Sequence, residues 1–166
     1  MKTVAIGLAA AATLTSAKAQ PCQASEHRQF DFWVGRWEVF GADGKKAGEN
    51  LIEAIDGGCA LLERWRGSGG FSGTSLNAWD AGARAWRQHW VDNQGGLLRL
   101  AGRLDGKRMV LEATEPHADN KPGATRRQRI AWTPLADGAV RQHWETSDDD
   151  GATWSTAFDG RYVRAK

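Results

Sequence analysis

From Gly48 onwards the chain breaks into short runs in which apolar and polar positions alternate, punctuated by Gly and Asp. Period two is the signature of a half-buried β-strand. It predicts strands over Gly48–Ile55, Cys59–Trp65, Gly73–Asp80, Ala85–Val91, Leu97–Leu104, Lys107–Ala113, Thr125–Thr133, Ala139–Thr146 and Trp154–Val163. Asp56-Gly57-Gly58, Asp105-Gly106 and Asp137-Gly138 separate neighbouring runs, and Asp-Gly in that position is a strong hairpin signal. Ahead of them Arg36–Phe40 alternates too, with Trp37, Val39 and Gly41 on one side and Arg36, Glu38 and Phe40 on the other. This makes about ten strands in hairpin order, with no helical period after residue 35. A meander of this kind must hide its edges. The expected fold is therefore all-β, a single antiparallel up-and-down β-barrel, with a two-sheet sandwich as the alternative. Asp31-Phe32-Trp33-Val34 lacks the alternation and suits a short N-terminal helical plug, and Glu115–Gly123, with Pro116 and Pro122, is the one long irregular connection.

Alternation also assigns each residue to a face. Glu63, Trp65, Ser75, Asn77, Trp79, Trp86, Gln88, Trp90, Leu98, Leu100, Met109, Leu111, Gln128, Ile130, Trp132, Gln142 and Trp144 share one face. Arg64, Arg66, Arg87, His89, Arg99, Arg103, Arg108, Arg127, Arg129, Arg141 and His143 share the other. So many indoles cannot all be wet, so the first face is the interior. A buried amide without a partner costs roughly 1–3 kcal/mol. The interior carboxamides therefore either satisfy one another and trapped water, or line a cavity where a ligand does so. Under the cavity reading Glu63, Trp65, Asn77, Trp79, Gln88, Trp90, Gln128, Trp132, Gln142 and Trp144 are the ligand-binding candidates, the rings supplying area and the polar groups direction. The outer arginines either pair with carboxylates across strands or form a surface for anionic polysaccharide or lipid head groups. Arg87-Gln88-His89-Trp90 recurs as Arg141-Gln142-His143-Trp144, which marks two strands in equivalent environments.

Composition changes the picture at the N-terminus. Lys2, the apolar run Val4–Leu14 and the small residues of Ala17-Lys18-Ala19 form a secretory signal peptide, residues 1–19, which leaves 20–166 as the barrel domain. The run is too short to span a bilayer and no later stretch replaces it, so no transmembrane segment is expected. Lys2 and Lys18 account for the whole formal charge of +2. The mature chain is then neutral and exerts no global pull on nucleic acid. Export to the periplasm or beyond places Cys22 and Cys59 in an oxidising compartment, where a disulfide is the default for an even count.

Searches for catalytic and metal signatures add little. Ser68, Ser72 and Ser75 each fail the Gly-X-Ser-X-Gly pattern. His27, His89, His117 and His143 are scattered, so neither a metal site nor any cofactor is expected. Glu63 in a Trp-rich pocket could carry a raised pKa and serve as a general acid or base, which keeps an enzyme acting on the bound molecule as an alternative. Oligomeric state is not legible. Ser147-Asp148-Asp149-Asp150-Gly151-Ala152-Thr153-Trp154 resembles the Asp-box, a structural turn in sialidases and other secreted β-proteins. That resemblance implies that Asp149 accepts backbone N–H groups, Gly151 takes positive φ and Trp154 anchors the next strand.

Gly35-Arg36-Trp37 resembles the Gly-X-Trp signature that opens the first strand of lipocalins and other calycin barrels. There a late Arg packs across the Trp face, a role open here to Arg161 or Arg164. Together with Phe30–Trp37, Gly58–Trp65, Ser75–Asp80 and the Asp-box hairpin, the chain resembles an exported bacterial family known only as a domain of unknown function, with a lipocalin- or nitrobindin-like barrel. Nitrobindin-type haem binding relies on a His near the C-terminus, and nothing after His143 supplies one. The expected function is binding of a small molecule in the barrel.

Overall fold

The structure is a computed structural model that describes residues 21–116 and 123–166. The expected signal peptide, residues 1–19, lies outside the described residues, as do residues 117–122 of the expected irregular loop; Glu115 and Pro116 of that loop belong to a strand. The described residues form ten strands: β1 (Gly35–Gly41), β2 (Lys46–Ile55), β3 (Ala60–Gly67), β4 (Ser72–Asp80), β5 (Ala85–Asp92), β6 (Leu97–Asp105), β7 (Arg108–Pro116), β8 (Thr125–Pro134), β9 (Val140–Ser147) and β10 (Ser155–Arg164). Each pairs antiparallel with its neighbours in sequence, and β10 returns to β1 with Trp37 opposite Arg164 and Gly41 opposite Gly160. The sheet thus closes on itself as a barrel, which overturns the sandwich alternative. Every predicted strand is present, most of them a residue or two longer than the alternation showed.

Hairpin order fixes two ends. We call lower the end that carries the β2–β3, β4–β5, β6–β7 and β8–β9 turns and the start of β1, and upper the end that carries the Asp-box hairpin. Two 3-10 turns, Ser25–Arg28 and Asp31–Trp33, precede β1 at the lower end. Phe30 stacks on Trp33 at 4.8 Å between ring centroids and meets Trp86 and Trp132 edge-on at 5.6 and 5.2 Å. These rings are buried and form the lower half of the core. Cys22 and Cys59 are disulfide-bonded, tying the N-terminal arm to the β2–β3 connection. Closing a loop across the 37-residue separation is worth about 4 kcal/mol in the chain-entropy account.

The Gly-X-Trp triplet resolves into a three-part lock. Trp37 donates its indole N–H to the Trp33 carbonyl at 2.8 Å, and the Arg164 guanidinium lies 4.0 Å from the Trp37 ring centroid. Arg164, rather than Arg161, therefore takes the cation–π role, a contact worth about 0.5–2 kcal/mol, and it also donates to the Val34 carbonyl at 2.7 Å. Gly35, at φ 142°, is where the guanidinium passes, and a Cβ there would overlap Arg164 Nη1.

Outside, the arginines are largely paired with carboxylates. Arg87 meets Asp80 at 3.3 Å, Arg129 meets Glu145 at 3.0 Å and Arg141 meets Asp159 at 2.6 Å, while Arg64–Glu53 and Arg161–Asp137 form closer pairs. Such exposed pairs contribute only about 0–1 kcal/mol each, but they account for the arginine-rich face without a polyanion.

The Asp-box hairpin between β9 and β10 behaves as the motif implies. Asp149 accepts the Thr153 N–H at 2.8 Å, the Thr153 hydroxyl at 2.6 Å and the Ser147 hydroxyl at 2.7 Å. Gly151 sits at φ 91°. Trp154 donates to the Gly151 carbonyl at 3.1 Å, and Arg129 covers its ring at 4.0 Å.

Two expectations follow. Gly35→Ala should displace Arg164 from Trp37 and lower unfolding stability by at least about 1 kcal/mol in urea titration; an unchanged midpoint would show that the lock contributes nothing. The hydrogen bonds from Thr153 and Ser147 hold the Asp149 carboxyl at about 2, below its ordinary 3.8. The hairpin's contribution is therefore complete above pH 3.8 and lost as pH falls towards 2. Hydrogen exchange at the Thr153 amide should follow that course, and loss of protection already above the ordinary value would contradict it.

Candidate functional site

A cavity of about 320 Å³ opens at the upper end of the barrel. Its rim comes from Ala47, Gly67, Gly69, Phe71, Ala157 and Phe158, and its walls from Trp65, Trp90 and Trp144. Leu98 and Ile130 stand beside Trp90 and Trp144, and deeper down lie Glu63, Gln88, Trp132, Gln142 and Tyr162.

The depth order comes from the pleat. Strands β3, β5 and β9 all run from the lower to the upper end, and each sends in one polar side chain followed two residues later by a tryptophan: Glu63 then Trp65, Gln88 then Trp90, Gln142 then Trp144. Residues two apart in a strand point the same way and lie roughly 7 Å apart along it. The three strands therefore build a polar tier with an indole tier above it. The Arg-Gln-His-Trp echo is two of these three copies, with Arg87 and Arg141 outside on their aspartates.

Of the ten candidates from sequence, seven line the cavity: Glu63, Trp65, Gln88, Trp90, Trp132, Gln142 and Trp144. The other three do not. Asn77 is buried beneath the polar tier, donating to the Ser75 hydroxyl at 2.8 Å and accepting from Gln88 at 2.7 Å. Trp79 sits at the lower end of β4, opposite Trp86, where the barrel is filled. Gln128 accepts the Trp144 indole N–H at 2.8 Å, so it holds a wall residue in place. Period two tells inside from outside but carries no information on depth, which is why these three were grouped with the rest.

The sequence reading missed Asn50 and Tyr162, and it placed Ser75 inside without giving it a role. Together they organise Glu63. Asn50 donates to one Glu63 oxygen at 2.7 Å and Ser75 to the other at 2.6 Å. Ser75 in turn receives Asn77 and, at 3.4 Å, Gln88. Tyr162 receives Asn50 at 3.3 Å and donates to Gln142. Tyr162 is the chain's only tyrosine, which is the one signal that could have drawn attention to it. Asn50 Oδ1, by contrast, is buried with no donor among the described residues, as is the Trp132 indole N–H with no acceptor.

Glu63 is 5% exposed, and every group bonded to it is neutral. Burial pushes its carboxyl above the ordinary 4.5, outweighing the hydrogen bonds from Ser75 and Asn50 that pull it down. Tyr162 is pushed up as well, by burial first and then by the Glu63 charge, and stays a neutral phenol. Among the described residues no histidine bonds to the Ser75–Glu63 pair, so these residues do not form a nucleophile relay. His89 and His143 point outward as expected, and His143 meets Thr156 at 3.1 Å. Among the described residues no group of His, Cys, Asp and Glu is arranged to hold a metal ion.

No known protein-family model matches the chain, and no curated protein matches it. The likeness to lipocalin- and nitrobindin-type proteins therefore rests on the motifs quoted above, and the site must be interpreted from its own chemistry.

Because the folded Glu63 keeps a proton that the unfolded chain releases at 4.5, wild-type stability should decline as pH rises above that value through the folded pKa. Glu63→Gln has no such proton. Urea titrations across this range should show the variant gaining on wild type as pH rises, and parallel curves would mean that Glu63 is not desolvated.

Proposed function

We propose that this is an exported protein, periplasmic or secreted, that binds a small molecule inside a lipocalin-like barrel. The carrying observation is the cavity of about 320 Å³ with indole walls over a polar tier. That volume falls at the small end of ligand pockets, which are typically about 300–1,000 Å³ and mostly apolar with a few directed polar groups. Export is supported by the Cys22–Cys59 bond, since disulfides persist in oxidising compartments. The charged outer face and apolar lining are the reverse of a membrane barrel, whose apolar band faces lipid. Among the described residues no helix is long and apolar enough to cross a membrane. The two 3-10 turns with Phe30 and Trp33 act as the lower plug, so that a guest enters from above.

A second reading draws on Glu63 itself: a carboxyl whose pKa burial raises, beside a bound molecule, is equipped to exchange a proton with it. Turnover of a bound compound that disappears in Glu63→Gln would favour that reading. The arginine exterior gives less support to an envelope-binding role, because its guanidinium groups are largely occupied by carboxylates.

Native mass spectrometry of protein purified from its own compartment should show a retained small molecule. Titrating a metabolite panel should quench the tryptophan emission saturably. Trp65→Ala or Trp90→Ala should weaken that binding by about tenfold or more, the share of a desolvated aromatic anchor. Quenching that survives both variants unchanged would place binding elsewhere.

A further inference from the structure

Four features of the cavity bear on the charge of its guest. First, Glu63 lines it, yet no Arg, Lys or His is among the cavity-lining residues, and the ion pairs of the described residues lie on the outer face. A buried carboxylate without a counter-charge is expensive, and proteins normally pair or neutralise it. Second, the surrounding dipoles converge on that carboxylate: Gln88 donates to Asn77, Asn77 to Ser75 and Ser75 to Glu63, while Asn50 donates from the other side. Because Ser75 already accepts from Asn77 and Gln88, its own hydrogen is directed at Glu63. A chain oriented this way favours a negative end point.

Third, Asn50 Oδ1, on the amide that donates to Glu63, is a buried acceptor with no donor among the described residues. The immediate surroundings of Glu63 therefore supply dipoles but no positive charge, and leave the Asn50 oxygen beside it without a donor. Fourth, the wall above is made of Trp65, Trp90, Trp144, Phe71 and Phe158, and aromatic faces attract a desolvated cation. Burial raises the Glu63 carboxyl, as expected of a carboxyl that no cation of the described residues neutralises.

We infer that the guest is an organic cation, a protonated amine on a compact apolar body, with its ammonium group on Glu63 and its body between the indoles. This rests on the binding reading above and specifies its ligand class. A fatty acid or other anion meets Glu63 with no compensating cation. A neutral guest leaves Glu63 with a choice between an unpaired charge and a bound proton. An ammonium group supplies N–H donors to the free lone pairs of Glu63 and the counter-charge that the lining lacks, while the indole faces above take its apolar body and favour a cation nearby.

The test uses one body with three heads: phenethylamine, phenethyl alcohol and phenylacetate, titrated by calorimetry into the full mature protein with its disulfide intact. The amine should bind at least about tenfold more tightly than the alcohol, with phenylacetate weakest, since a close buried charge pair adds affinity that a hydroxyl does not. Glu63→Gln, checked by near-ultraviolet circular dichroism for an unaltered aromatic core, should lose that preference, the amine falling to the level of the alcohol or below it. Alcohol or phenylacetate binding as tightly as the amine would overturn the cation inference while leaving cavity binding standing. An amine preference that survives in Glu63→Gln would overturn the assignment to Glu63. Absence of saturable binding by all three heads would overturn the inference and the binding reading together. Should Glu63→Gln fail to fold, the ranking of the three heads on the wild-type protein decides the matter.

Discussion

Closure of the sheet between β1 and β10 is the constraint on which the molecule depends. Once the edges are gone, each strand has one inner and one outer face, and period two leaves no intermediate option. Sliding one strand by a single residue would send guanidinium groups inward and indoles out to water. The devices that hold register are local. Arg164 on Trp37 fixes β10 against β1 at the closing seam, the disulfide fixes the arm against the β2–β3 turn, and the Asp-box fixes the β9–β10 hairpin at the opposite end.

With register held, the interior divides by depth. The lower half is filled by Phe30, Trp33, Trp86 and Trp132 in ring-to-ring contact. Above it lies the tier of Glu63, Gln88, Gln142 and Tyr162, and above that the indoles of Trp65, Trp90 and Trp144. The N-terminal turns bring Phe30 and Trp33 to the lower end, buried against Trp86 and Trp132, and the cavity opens at the other end. The interior polar groups divide in the same way. Asn77 and Ser75 spend their capacity on one another and on Glu63 and behave as core, while Glu63 and the two glutamines of the echo reach the open space. The interior thus combines a self-satisfied network at one depth with a cavity at another.

The strands and their faces were legible because alternation is a one-dimensional signal. Glu63 and Trp65 on one side of β3, and Arg64 and Arg66 on the other, follow from counting. The Asp-box and the Gly-X-Trp lock were legible because their bonds are mostly short-range or tied to a fixed triplet. The choice between Arg161 and Arg164 was not, because it depends on the register of β10 against β1. Nor was the circuit through Asn50, Ser75 and Tyr162, which joins β2, β4 and β10 across separations as large as 112 residues. Nothing local in Asn50 announces a partner so distant in the chain.

Both ends of the described residues lie at the lower end of the barrel. Cys22 is bonded to the β2–β3 turn, and Ala165 donates to the Arg36 carbonyl at 3.0 Å beside the start of β1. Anything fused after Lys166, whether an affinity tag, a fluorophore or a surface linker, hangs from the base and leaves the aperture facing away from its attachment. Immobilised by its tail, the barrel would stand as an upright cup.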